Sequence, residues 1–211
     1  MAWPEMRDTT SIGGRVPPRQ VRAVFDARTV TVYQAYSSAI AEPAIAAGRF
    51  VSPFKIDRMT WIKPSFLWMM YRSGWATKPD QERVLAISIT REGFEWALAH
   101  ASLSHYDPAM YANYEEWVAR KHSTPVRVQW DPERSPLLEP LSHRAVQIGL
   151  TGEAARHYVD DWTVSITDVT RFAHEIRGLV AAGDEAATTE LLPAELPYPL
   201  SDEIRSVIGA A

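Results

Sequence analysis

The chain has 211 residues, 46% of them hydrophobic and 23% charged, which suffices for one substantial core and at most a small subdomain beside it. Its net charge of −4 argues against strong non-specific binding to nucleic acid, because affinity for a phosphate backbone comes mainly from cations. With no cysteine, a disulfide framework, a zinc–thiolate site and a cysteine nucleophile are all excluded.

The opening MAWPEMRDTT lacks the apolar stretch of a secretion signal, and no run reaches the roughly 20 apolar residues that a bilayer crossing needs. A cytoplasmic protein without membrane contact is expected. Residues 1–20, with Gly13, Gly14, Pro17 and Pro18, are expected to form a flexible arm ahead of a single globular domain over 21–211.

Along the chain, Thr29 to Tyr36 mixes β-branched and aromatic residues with small or polar ones, the pattern of a strand. A helix follows from Ser37 to Ala47, capped by Ser37 or Ser38 and stopped by Gly48, with Pro43 leaving open whether it is broken or straight. Met59 to Ile62 suits a short strand. Pro64, whose missing N–H costs nothing at the first helical position, then starts a helix that ends at Gly74. Val84 to Thr90 reads as a buried strand and Glu92 to Ala101 as a helix, with helix and loop over 102–123. Strands are expected at Pro125 to Trp130 and Ala145 to Leu150, a short capped helix at Thr151 to Asp161, and a last strand at Val164 to Ile166. Asp168 to Ala182 is a helix with Val169, Phe172, Ile176 and Leu179 three or four apart. The Pro-rich tail closes in a brief helix. Strands separated now by helices, now by loops, point to α+β rather than a doubly wound sheet.

The densest chemistry lies between Arg58 and Lys78, where Arg58, Thr60, Lys63, Ser65 and Arg72 interleave with Trp61, Trp68 and Trp75. Such a mixture suits an anionic ligand with a flat ring: cations neutralise phosphate, a helix start offers free N–H groups, and Trp supplies a stacking face. Phe66, Trp68, Met69 and Met70 are read as core on one helical face. In the strand VYQAY, Tyr33 and Ala35 share one face, Gln34 and Tyr36 the other, and Gln34 serves either the sheet or a ligand. QWDPER places Asp131, Glu133 and Arg134 just past a strand, either as an acid that orients a ribose or as an Asp-Pro turn with a surface ion pair. Gln147 points from mid-strand as Gln34 does. The six histidines show no metal-ligand spacing, so no metal is expected, and no nucleophile elbow, P-loop or dinucleotide fingerprint is present.

The segments VYQAYSSAIAEPAIAAGRF, RMTWIKPSFLWMMYRSGWATK, QERVLAI, VRVQWDPER and AVQIGL together resemble the domain-of-unknown-function family 4291 over residues 20 to 180. More distantly, the order of elements resembles an ADP-ribosyltransferase-like family, the domain-of-unknown-function family 952. VYQAY stands at that family's first strand, RMTWIKPS at its second, and VLAISI, QWDPE and PLSHRAVQIGL at the rest. The second resemblance implies an ADP-ribosyltransferase-like α+β fold of two small antiparallel or mixed sheets with flanking helices, and NAD as substrate between them. It implies that Tyr33, Gln34, Tyr36, Arg58, Thr60, Trp61, Lys63 and Ser65 hold the nucleotide, Trp61 stacking and Arg58 with Lys63 on pyrophosphate. Gln34, which replaces a His of that family, would fix the ribose, and Glu133 or Gln147 would stand for its later Glu. The expected function is ADP-ribosyl transfer to an unknown acceptor. The alternative is a non-enzymatic module that binds a nucleotide or single-stranded nucleic acid.

Overall fold

A computed structural model describes residues 16–211. The arm expected over 1–20 therefore lies mostly outside the described residues. Its last residues are tied to the body: Arg144 N–H donates to the Pro18 carbonyl at 2.9 Å, and Ala211 N–H to that of Arg19 at 2.7 Å.

The first half of the chain forms β1 (Arg22–Ala23), β2 (Thr29–Tyr36), α1 (Ser38–Ala47), β3 (Thr60–Ile62), α2 (Phe66–Ser73), β4 (Arg83–Thr90), α3 (Arg91–Ala99) and β5 (Ala101–Leu103). The second half forms α4 (Tyr114–Ser123), β6 (Val126–Arg134), β7 (Pro140–Leu150), α5 (Gly152–His157), a π-helical turn (Tyr158–Trp162), β8 (Thr163–Asp168), α6 (Thr170–Ala182), α7 (Glu185–Leu191), β9 (Leu196–Pro197) and α8 (Asp202–Ile208). One sheet runs β2-β4-β8, antiparallel throughout. The other runs β3-β7-β6-β5, antiparallel except for β5 on β6. A short antiparallel pair joins β1 to β9. The mixed α+β architecture matches the expectation. No helix among the described residues is long and apolar enough to cross a membrane.

Several boundaries differ from those expected, each for a local reason. Pro64 does not open α2. Ser65 takes the cap because its Oγ accepts the Trp68 N–H at 3.1 Å, leaving Pro64 one position outside. Thr90 caps α3 in the same way on Gly93 N–H, and the helix closes at Ala99, which leaves Ala101–Leu103 to pair with β6. The Asp-Pro turn expected at 131–132 is absent. β6 continues through it, pairing Asp131 with Ala145 and Pro132 with Arg144, with a register shift between Pro132 and Arg134 that leaves Glu133 unpaired. A bulge tolerates proline because the local ladder is already interrupted. The chain reverses later, where Ser135 N–H donates to the Glu139 carbonyl at 2.9 Å. Pro43 leaves α1 a single helix, closed as expected by Gly48 in the left-handed conformation.

The larger core cluster draws on both sheets, with Val30, Val32, Ile87 and Ile89 from one and Val126, Val128, Ile148 and Leu150 from the other, joined by Phe94, Leu98 and Tyr158. The smaller cluster sets Tyr33 and Ala86 against Phe66, Met69 and Met70 of α2 and Ala173 and Ile176 of α6. Phe66, Trp68, Met69 and Met70 are buried, as the helical spacing predicts. Backbone bonds between Tyr33 and Lys63, at 2.7 and 3.2 Å, link β2 to the residue following β3 and so couple the two sheets.

Candidate functional site

Past the Tyr33–Lys63 bridge, side chains rather than backbone tie β2 to β3. Gln34 Nε2 donates to Thr60 Oγ1 at 2.7 Å and to the Trp61 carbonyl at 3.2 Å, while its Oε1 accepts the Tyr158 hydroxyl at 2.7 Å. The Tyr36 hydroxyl lies 3.2 Å from Thr60 Oγ1. Gln34 is only 3% exposed, and these bonds satisfy a buried amide that would otherwise be costly. A cavity of about 700 Å³ opens beside this network. That volume falls within the roughly 300–1,000 Å³ of small-molecule sites.

The cavity is lined from β2 by Gln34, Ala35 and Tyr36, from the approach to β3 by Lys55, Arg58 and Met59, and from β3 itself by Thr60 and Trp61. Lys63, Arg72, Gln129 and Gln147 complete the polar wall, with Asp80 and Gln81 on a further loop. Gln129 and Gln147 face each other across the β6–β7 pair. Both donate to the Asp131 carboxylate, Gln129 at 2.9 Å and Gln147 at 2.5 Å, which fixes the two amides side by side. Arg58 and Arg72 are exposed, whereas Lys63 is buried at 5% exposure. Burial pushes the Lys63 amine down to about 7, helped by the nearby Arg72 charge and opposed by Asp131.

Two local devices shape the walls. Gly74, Trp75 and Ala76 all adopt left-handed backbone conformations, with φ of 60°, 58° and 60°. Ser73 Oγ accepts the Ala76 N–H at 3.2 Å, and this turn carries the chain from α2 to Asp80 and Gln81. Strained non-glycine residues of this kind concentrate at functional sites. On the opposite wall, a Cβ built on Gly149 would lie 2.8 Å from Met59 Sδ and 3.0 Å from the Trp61 indole. Gly149→Ala is therefore expected to displace Trp61 and cost about 1–2 kcal/mol, read as a lowered urea midpoint. An unchanged midpoint would show that Met59 and Trp61 yield freely.

Among the residues expected in the site, the cavity brings together Gln34, Tyr36, Arg58, Thr60, Trp61, Lys63 and Gln147. Tyr33, Ser65 and Glu133 are not among its lining residues. Tyr33 packs edge-on against Phe66 at 5.5 Å in the smaller core, which draws its ring to the far face of β2. Ser65 donates to Glu133 Oε1 at 2.9 Å while capping α2. The same carboxylate accepts Arg134 N–H at 2.8 Å, so the bulge aims Glu133 at the start of α2 instead of the ligand space. Glu195 joins it there, accepting Phe66 N–H at 2.7 Å. Burial and the Glu133 charge raise Glu195 to about 8, and burial raises Glu133 too. The expected acid is thus half of a carboxyl pair outside the cavity.

Sequence reasoning missed Gln129, Tyr158 and Glu195. Gln129 was findable, because Arg127, Gln129 and Asp131 form the less buried face of a strand whose Val126, Val128 and Trp130 are buried. Tyr158 and Glu195 reach their partners from distant segments, and no local pattern marks them.

Two small sheets sharing a polar, cation-lined cavity at their adjoining strands define an α+β protein with one candidate site. The chain belongs to the family described as Domain of unknown function (DUF4291), whose model matches residues 20–198 of the 211. Among the described residues, that span takes in β1 to β9 and α1 to α7. No curated protein matches the chain.

Proposed function

We propose that the cavity binds NAD or a closely related nucleotide, that the fold is ADP-ribosyltransferase-like, and that the protein transfers ADP-ribose to an acceptor. The observation that carries this reading is the cavity itself, which sets Arg58 and Arg72 beside Trp61 and Tyr36. Arginine pairs with pyrophosphate in a fork, and the aromatic faces suit nicotinamide or adenine. Gln34 fits the role of a positioning residue, because its amide is already engaged by Thr60, Trp61 and Tyr158. The hydroxyls of Tyr36 and Thr60 and the amides of Gln129 and Gln147, held in place by Gln34 and Asp131, are the cavity groups that would meet the ribose. In such a transfer, fixed dipoles of this kind stabilise the oxocarbenium-like ribose as nicotinamide leaves. Glu133 has no part in it.

Incubation with NAD, following nicotinamide release and melting temperature together, tests the reading. A raised melting temperature with release is expected, and Arg58→Ala or Arg72→Ala should weaken binding about 10- to 100-fold, the loss of one charged contact. One observation favours a second reading, binding without turnover: the expected acid, Glu133, faces Ser65. A melting shift without release would select it, and no response at all would remove both. A single concave volume of about 700 Å³ suits one nucleotide ligand better than the long groove that tracks a single strand.

A further inference from the structure

We infer that Lys63 is a nucleophilic amine that condenses with the carbonyl of a phosphorylated aldehyde or ketone held in the cavity. Lys63 lines that cavity although it is 5% exposed. Its Nζ makes one hydrogen bond, to the Trp61 carbonyl at 3.3 Å. Among the described residues, no ion pair takes it up. A buried ammonium without a carboxylate is costly, and such a group relieves the cost by shedding its proton. Arg72 from α2 adds a like charge, while Asp131 from β6 is engaged by Gln129 and Gln147. A substantial fraction of Lys63 is therefore free base at neutral pH, the form that attacks carbonyls.

The surroundings specify the partner's class. Arg58 and Arg72 are exposed cations that offer a seat for phosphate, and Trp61 lines the same cavity. The Lys63 nitrogen adds to the carbonyl carbon, a C–N bond forms, and both amine hydrogens depart with the carbonyl oxygen as water, leaving an imine. No oxidant or reductant is needed. The inference stands apart from the NAD reading, since it requires no nicotinamide cleavage.

The probe is pyridoxal 5′-phosphate at pH 7, trapped with borohydride and mapped by peptide mass. Only four lysines are present, Lys55, Lys63, Lys78 and Lys121, so the label is readily assigned. Labelling at Lys63 should exceed that at exposed Lys78 by about tenfold or more, with a rate midpoint near pH 7 against about 10 for an ordinary lysine. Lys63→Met should abolish the fast labelling without lowering the melting temperature, and pyridoxal without its phosphate should label about tenfold more slowly. Equal labelling of all lysines, preference for Lys55, or fast labelling that survives Lys63→Met would overturn the inference. Should the variant fail to fold, the site and pH midpoint of wild-type labelling still decide. Failure to release nicotinamide from NAD leaves this result untouched, so the two readings fail separately.

Discussion

Gln34→Leu is expected to lower the unfolding free energy by about 2–4 kcal/mol, with most of the loss arising at Tyr158. The Tyr158 ring is fully buried, and its hydroxyl donates to Gln34 Oε1 at 2.7 Å. Leucine fills a similar volume but leaves that hydroxyl without an acceptor. The other partners keep alternatives: Thr60 Oγ1 retains the Tyr36 hydroxyl, and the Trp61 carbonyl retains Lys63 Nζ. A double-mutant cycle checks the attribution. Tyr158→Phe made in the Gln34→Leu background should cost almost nothing, and the coupling between the two positions should reach about 1–2 kcal/mol by urea denaturation. Strictly additive losses would mean that the two side chains do not share one bond. Because Gln34 also holds Thr60 and the end of β3, the same variant should weaken any ligand that contacts Tyr36 or Thr60.

The strands legible in sequence were those whose own residues sufficed. Thr29–Tyr36 and Arg83–Thr90 are long, rich in β-branched residues, and pair with one another over all eight positions. β5 is three residues long, too short to show a period, and forms where α3 has closed at Ala99 and the chain runs parallel to β6. The extension of β6 through Asp131 and Pro132 ran against local turn chemistry. Pairing with β7 prevailed because a bulge absorbs the proline.

The same division runs through the site. Arg58, Thr60, Trp61 and Lys63 were found because they lie within one short strand and its ends, where neighbours in sequence are neighbours in space. Gln34 and Gln147 stood out as amides in mid-strand. Glu133 shared their local promise, yet it sits unpaired at the register shift between Pro132 and Arg134 and meets Ser65 instead. Glu195 lies in a Pro-rich stretch and reaches α2 only because β9 pairs with β1 and Arg22 donates to its carbonyl at 2.6 Å. Register and long-range pairing decide such positions, and neither is written in a local pattern.

The carboxyl pair outside the cavity leads to the second large effect, a change in how stability depends on pH. Glu195 titrates near 8 in the folded protein against an ordinary value of 4.5, so between those limits the native state binds more protons than the unfolded chain. Stability therefore falls as pH rises from about 4.5 to 8, and Glu133, raised in the same direction, adds to the fall. Lys63 works the other way: with its folded value near 7, the unfolded chain binds the extra proton from there to about 10.5, and stability rises with pH in that window. The two trends oppose one another between 7 and 8, which predicts a minimum of stability there. Glu195→Gln removes the first trend while keeping an amide oxygen for the Phe66 N–H. The variant should match wild type near pH 4 and exceed it above pH 8 by on the order of 5 kcal/mol, the linkage cost of ionising a carboxyl held near 8 against an ordinary 4.5. Urea midpoints at pH 4, 7 and 9 measure this. A variant that is less stable at pH 9 would show that the ionised Glu195 is a favourable cap on α2, and that its burial is not what sets its proton affinity.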